Sequence, residues 1–208
     1  RYPYEIRCVT FSVALEGQDI TTLIIDPSAL NPGELDIMAA AGINTVRTYY
    51  PPTRDMLDAF VQHGIRVIVG FPYEENRVDR GPDIRSGTYR AYIEAYRNHP
   101  AILAWEFGNE PNYRPFQFGG GDVHTWYEIL EATAAEAQRI DPDHPVTSTF
   151  GYSGQSDVYG VAHSNSLDSF IEAVNLAPSV QMWGLNVYNW TDPSFAIEEI
   201  RAAGITKP

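Results

Sequence analysis

Cationic side chains are scarce in this chain of 208 residues: 14 Lys+Arg stand against 27 Asp+Glu, a formal net charge of −13. Binding to a nucleic-acid backbone or an anionic membrane surface needs clustered Lys and Arg, so this deficit argues against both partners. Cysteine is scarcer still. Cys8 is the sole one, so no internal disulfide can form and the redox compartment goes unreported. No apolar stretch approaches the ~20 residues that a membrane span needs, and no signal peptide opens the chain. The first residue is Arg1 rather than Met, so a processed or trimmed product is expected. The five histidines include no His-x-x-x-His spacing, and no metal is expected. Phe118-Gly119-Gly120-Gly121-Asp122 is glycine-rich but lacks the Lys-Ser/Thr of a phosphate loop, and no cofactor is expected. It reads as a loop lining a cleft, followed by a helix capped by Asp122.

Aromatics, by contrast, are plentiful: 4 Trp, 13 Tyr and 9 Phe within a hydrophobic content of 44%. That supports a proper core and excludes disorder as the general state. Short β-rich runs alternate with amphipathic stretches. Strands are predicted at Arg7–Ala14, Ile43–Tyr49, Ile65–Phe71, Ile102–Gly108, Val146–Phe150 and Val180–Tyr188. Helices are predicted at Gly33–Ala41, Thr53–His63, Gly87–Asn98, Val123–Ile140, Ser166–Leu176 and Ser194–Ala203. Runs such as Val67-Ile68-Val69 are apolar throughout, as in a sheet covered on both faces. Three junctions repeat one pattern: Ala41-Gly42-Ile43, His63-Gly64-Ile65 and Ala203-Gly204-Ile205 each end a helix on a glycine suited to a left-handed cap.

Six βα units with short returns predict an α/β fold of the (β/α)8 TIM-barrel class. A doubly wound sheet usually opens on a Gly-rich first turn, and Leu15–Pro32 holds only Gly17. Eight units usually take ~250 residues, and this chain reaches Pro208 where a seventh strand should start. Residues 1–208 are therefore expected to form a single, C-terminally incomplete barrel domain. Its last two units are expected to be missing or to lie on another chain that completes the barrel.

The strongest local signal is Trp105-Glu106-Phe107-Gly108-Asn109-Glu110-Pro111-Asn112, at the end of the fourth strand. Barrel active sites are built on that rim. A carboxyl beside an amide there suits glycosidic cleavage, in which one acid protonates the leaving oxygen and a second carboxylate attacks the anomeric carbon. This segment, preceded by Asn98-His99-Pro100-Ala101-Ile102, resembles the fourth strand of the clan A retaining glycoside hydrolases. Gly42-Ile43-Asn44-Thr45-Val46-Arg47-Thr48-Tyr49 is similar to their second strand. Trp183-Gly184-Leu185-Asn186-Val187-Tyr188 is similar to their sixth, and Lys207-Pro208 to the approach to their seventh.

The resemblance implies Glu110 as general acid/base and Asn109 as ligand of the sugar 2-hydroxyl. It implies Arg47 and Tyr188 as residues that orient and tune the nucleophile. That nucleophile would be a Glu on a seventh strand beyond Pro208. The motifs around Tyr49 and Tyr188 resemble β-1,3-glucanases and glucanosyltransferases, whereas Trp105-Glu106 resembles β-mannanases. Val9-Thr10-Phe11-Ser12 departs from the glucanosyltransferase pattern. Tyr49, Tyr188 and Trp190 are the leading candidates for rings that stack on sugars. Glu106 is expected to make a buried structural hydrogen bond.

The expected function is thus a retaining β-glycoside hydrolase or transglycosidase on a β-1,3-glucan or β-mannan. The alternative is a non-catalytic carbohydrate-binding protein on the same scaffold. The net charge speaks against a barrel enzyme for phosphorylated metabolites. A glycan substrate implies secretion or the periplasm.

Overall fold

The computed structural model describes residues 4–11, 32–73, 81–113, 122–153, 165–188 and 192–208. Strands and helices alternate throughout: β1 (Cys8–Thr10), α1 (Pro32–Ala40), β2 (Thr45–Thr48), α2 (Arg54–Gln62), β3 (Arg66–Phe71) and α3 (Tyr89–Tyr96) come first. They are followed by β4 (Ile102–Asn109), α4 (Val123–Ile140), β5 (Val146–Tyr152), α5 (Leu167–Leu176), β6 (Met182–Val187) and α6 (Ser194–Ala202). The strands form one six-stranded sheet in sequence order, β1-β2-β3-β4-β5-β6. Strand pairing is parallel, with Thr45 opposite Arg66 between β2 and β3 and Thr147 opposite Met182 between β5 and β6. Sequential parallel βα units are the order of a TIM-type barrel, and the α/β class expected from the sequence is observed.

By contacts the chain divides into two compact units, the boundary falling within β4 between Trp105 and Glu106. The first holds β1 to β3, α1 to α3 and the start of β4. Its core joins the strand residues Val46, Val67 and Val69 to Leu57 and Phe60 of α2, all of them buried. Thr53 caps α2 by accepting from Met56 N at 3.4 Å. Phe71 lies edge-on to Tyr89 and Tyr92 of α3, at 6.1 and 5.7 Å between ring centroids. Tyr92 donates to Pro52 O at 2.7 Å, and burial first, then neighbouring Tyr96, push its hydroxyl pKa up.

The second unit holds the rest of β4 and everything after it, together with Tyr73. Along α4 the buried residues Trp126, Tyr127, Leu130, Ala134, Ala137 and Ile140 recur at helical spacing and form one stripe. Asp122 caps that helix as expected, accepting from His124 N at 3.0 Å and Thr125 N at 3.3 Å. Phe170 of α5 lies edge-on to Phe150 of β5 at 5.2 Å and to Trp183 of β6 at 5.6 Å. After α6 the chain lies against β6. Trp183 N donates to Pro208 O at 2.9 Å, and Lys207 Nζ donates to the carbonyls of Pro178 and Val180, each at 2.7 Å.

The repeated helix-to-strand junctions behave as their glycines predict. Gly42, Gly64 and Gly204 have φ of +79°, +70° and +84°. Each follows a helix, and after Gly42 and Gly64 the chain returns to the sheet as β2 and β3.

Candidate functional site

The end of β4 breaks the regular alternation of a strand. Glu106 accepts a short hydrogen bond from Thr149 Oγ1 of β5, and Asn109 Oδ1 accepts from Asn186 Nδ2 of β6 at 3.4 Å. Thr149 stands opposite Gly184, two residues before Asn186, so both bonds lie on one face of the sheet. A step of three from Glu106 to Asn109 would put them on opposite faces of a regular strand. Gly108, at φ +83°, lies between them and takes up the odd residue. A Cβ on Gly108 would stand 2.5 Å from the Trp126 ring, so that residue must also be small. Gly184 is likewise required: a Cβ there would approach the Thr149 hydroxyl to 2.9 Å.

Glu110 follows immediately and carries the only positive φ of a non-glycine residue among the described residues, +52°. Such a conformation costs about 1–3 kcal/mol and persists only where its surroundings over-determine it. Here they do. Glu110 N donates to Thr149 O at 2.8 Å, and Glu110 O accepts from Tyr113 N at 3.0 Å. The side chain of Asn112 then pairs with the Gly151 peptide, donating to Gly151 O at 2.8 Å and accepting from Gly151 N at 3.0 Å. The Tyr113 ring packs against Gly151, where a Cβ would meet it at 2.0 Å, and its hydroxyl accepts from Asn165 Nδ2 at 3.3 Å. Glu110 is only 7% exposed, and its Oε1 is buried with no hydrogen-bond partner among the described residues. A buried carboxyl oxygen without a partner costs stability.

The remaining predicted residues sort by unit. In the first, Arg47 is the third residue of β2, and its guanidinium lies over the Tyr49 ring at 5.0 Å. Tyr49 is 39% exposed. In the second, Tyr188 follows β6 directly and is 40% exposed. Both residues are thus partly exposed. Trp190 lies outside the described residues, as do the loop 118–121 and the Asn189-Trp190-Thr191 triplet.

Other rim aromatics pack inward. Phe71 belongs to the core of the first unit, and Tyr73 stands edge-on to Trp126 at 5.5 Å. Tyr152 is buried and hydrogen-bonded to Glu199 of α6. Burial, with that carboxylate second, pushes its pKa up and keeps the hydroxyl protonated. Glu106 makes the buried bond to Thr149 described above.

Sequence reasoning missed Asn112, Thr149 and Asn186 as parts of this site. The bulge-forming Gly108 ahead of Asn109-Glu110 was the available signal for their convergence. Among the described residues no cluster of three His, Cys, Asp or Glu could hold a metal, and no helix is long and apolar enough to cross a membrane.

No family model matches the chain. It is similar to mannan endo-1,4-beta-mannosidase F of Aspergillus clavatus, with 32% identity over 116 residues, covering 45% of this chain and 25% of that protein. The chain thus spans about a quarter of the length of this curated relative. Among solved structures it is similar to the β-glucuronidase of Bacteroides uniformis, with a TM-score of 0.61, 18% identity, 96% of this chain and 23% of that one. It is also similar to a glycosyl hydrolase family 2 member from Bacteroides cellulosilyticus, with a TM-score of 0.54, 20% identity, 86% of this chain and 21% of that one. At these identities the two structures show the fold. All three proteins are glycoside hydrolases.

Proposed function

We propose that this chain is part of a retaining β-glycoside hydrolase, with Glu110 as its general acid/base and a β-1,4-linked mannan as its substrate class. The observation that carries the reading is the Asn109-Glu110 pair at the end of β4, where Glu110 keeps a buried carboxyl oxygen with no partner among the described residues. Similarity to a mannan endo-1,4-beta-mannosidase favours β-mannan over β-1,3-glucan, and endo action. Work on such a polysaccharide fits a secreted or periplasmic protein.

In the first step Glu110, as the carboxylic acid, gives its proton to the glycosidic oxygen. A second carboxylate forms a bond to the anomeric carbon as the C–O bond to the leaving sugar breaks. In the second step Glu110, now a carboxylate, takes a proton from water as that water attacks the anomeric carbon and releases the nucleophile. A sugar acceptor in place of water would give transglycosylation. The nucleophile is expected on a strand following Pro208, next to β6, whose Trp183 N–H already bonds the Pro208 carbonyl. Asn109 would hold the 2-hydroxyl, Arg47 and Tyr188 would orient the nucleophile, and Tyr49, Tyr188 and Trp190 would stack on sugar rings.

The test is hydrolysis of β-mannan and β-1,3-glucan by the full-length protein, before and after Glu110→Gln. Turnover of mannan is expected, and loss on substrates with poor leaving groups. The first step should be largely spared for activated aryl glycosides, whose leaving groups need no proton. Equal loss on both substrate types would overturn the assignment. Binding of mannan without turnover by the unmutated protein would instead favour the carbohydrate-binding reading.

A further inference from the structure

The backbone of β4 cannot itself continue the ladder past Glu110. At φ +52° the chain turns away from β5, and Glu110 O is taken by Tyr113 N inside the turn. A parallel ladder continued from the Glu110 N to Thr149 O bond would next engage the N–H and C=O of Gly151. Both of those groups are satisfied by one side chain. Asn112 presents an amide, which has the same donor and acceptor as a peptide group, and bonds Gly151 N at 3.0 Å and Gly151 O at 2.8 Å. Asn112 is buried, and the tyrosine ring lying on Gly151 covers the same peptide.

We infer that Asn112 is a positioning residue: its amide replaces the missing rungs of the β4–β5 ladder and so fixes the left-handed turn that carries Glu110. This inference rests on the acid/base reading of Glu110 for its catalytic consequence, but the clamp itself is a statement about the backbone. Either amide bond alone could be lost to water. Together they set both the distance and the angle of the 110–113 turn relative to β5. The Asn side chain supplies the paired donor and acceptor for this. Asp keeps the acceptor for Gly151 N–H but loses the donor to Gly151 C=O, and Ala loses both.

The experiment compares the full-length protein with Asn112→Ala and Asn112→Asp by backbone amide exchange and by kinetics. Exchange of the Gly151 amide should accelerate in Asn112→Ala, which loses its acceptor, and exchange of the Glu110 amide in both variants, while amides of α4 stay protected. Unchanged protection at Gly151 in Asn112→Ala, or at Glu110 in both variants, would overturn the clamp, whether or not the protein proves to be a mannanase. In kinetics, kcat on β-mannan should fall about tenfold to a hundredfold with KM nearly constant, the effect of a small misplacement of a reacting group. Activated aryl mannosides should lose much less in their first step. A fall shared equally by both substrates would show a merely structural role and refute the positioning one. If Asn112→Ala fails to fold, Asn112→Asp carries the comparison at the Glu110 amide and in kinetics. No turnover by the unmutated protein, with accelerated Gly151 exchange in Asn112→Ala, would sink the hydrolase reading and leave the clamp standing.

Discussion

Placing a methyl group on Gly151 should damage the candidate site without touching Glu110. In Gly151→Ala the new Cβ would stand 2.0 Å from Tyr113 Cε2 and 2.5 Å from its Cδ2, far inside van der Waals contact. The ring cannot simply swing aside. Its backbone N–H holds Glu110 O, and its hydroxyl accepts from Asn165. Overpacking of this kind costs about 1–3 kcal/mol. For a chain of this size each kcal/mol moves the midpoint by about 2–4 °C, so the expected fall in Tm is about 2–12 °C. The assay is thermal unfolding of four proteins: the parent, Gly151→Ala, Tyr113→Ala and the double variant. If the clash is the cause, the alanine at 151 should cost almost nothing once Tyr113 has been removed, giving a coupling of about the same 1–3 kcal/mol. An equal drop in both backgrounds would refute the reasoning.

Other expectations follow from the same site and its flank. Thr149→Val should lower stability by about 1–3 kcal/mol in urea unfolding, because the buried Glu106 carboxyl loses a donor, whereas Thr149→Ser should restore most of it. A valine variant as stable as the parent would remove that bond from the account. His124, on α4, is held above its ordinary pKa, first by its hydrogen bond to Glu172 and by that carboxylate's charge. Its folded-state pKa exceeds its unfolded one, so its small contribution to stability is complete below about pH 6.5 and disappears as pH rises through the folded value. Glu172→Gln should lower the His124 midpoint in an NMR titration, and an unmoved midpoint would show that Glu172 is not its cause.

Most of the fold was legible because each element carries its own signal. The periodicity of Val123–Ile140 predicts α4 to the residue, since Trp126, Leu130, Ala134 and Ala137 can share a face only on a helix. The glycines at 42, 64 and 204 mark returns that only a left-handed residue makes easily. The ends of β4 and β5 were less legible. β4 was expected to stop at Gly108 and β5 at Phe150, but they run to Asn109 and Tyr152.

Both extensions depend on partners remote in sequence. Thr149 O holds Glu110 N, and the Asn112 amide occupies Gly151, 39 residues away. Glycine at 151 reads locally as a breaker, whereas in the sheet it is the space that Tyr113 fills. For the same reason Asn109 and Glu110 could be singled out from their motif, but Asn112 and Asn186 could not. Their role lies in bonds to other strands, which no local pattern records.

The glycine returns have a stereochemical consequence. At Gly64 and Gly204 nothing lies within 4 Å of where a Cβ would be, so these positions have room for a side chain. What disfavours one is the backbone angle, since φ of +70° and +84° is a left-handed conformation that is strained for L residues. A D-alanine installed there by chemical ligation would suit the backbone angle and would restrict the unfolded chain more than glycine does, whereas L-alanine would fit the space and be strained. These two turns therefore select handedness rather than size, a requirement that the one achiral encoded residue meets without strain.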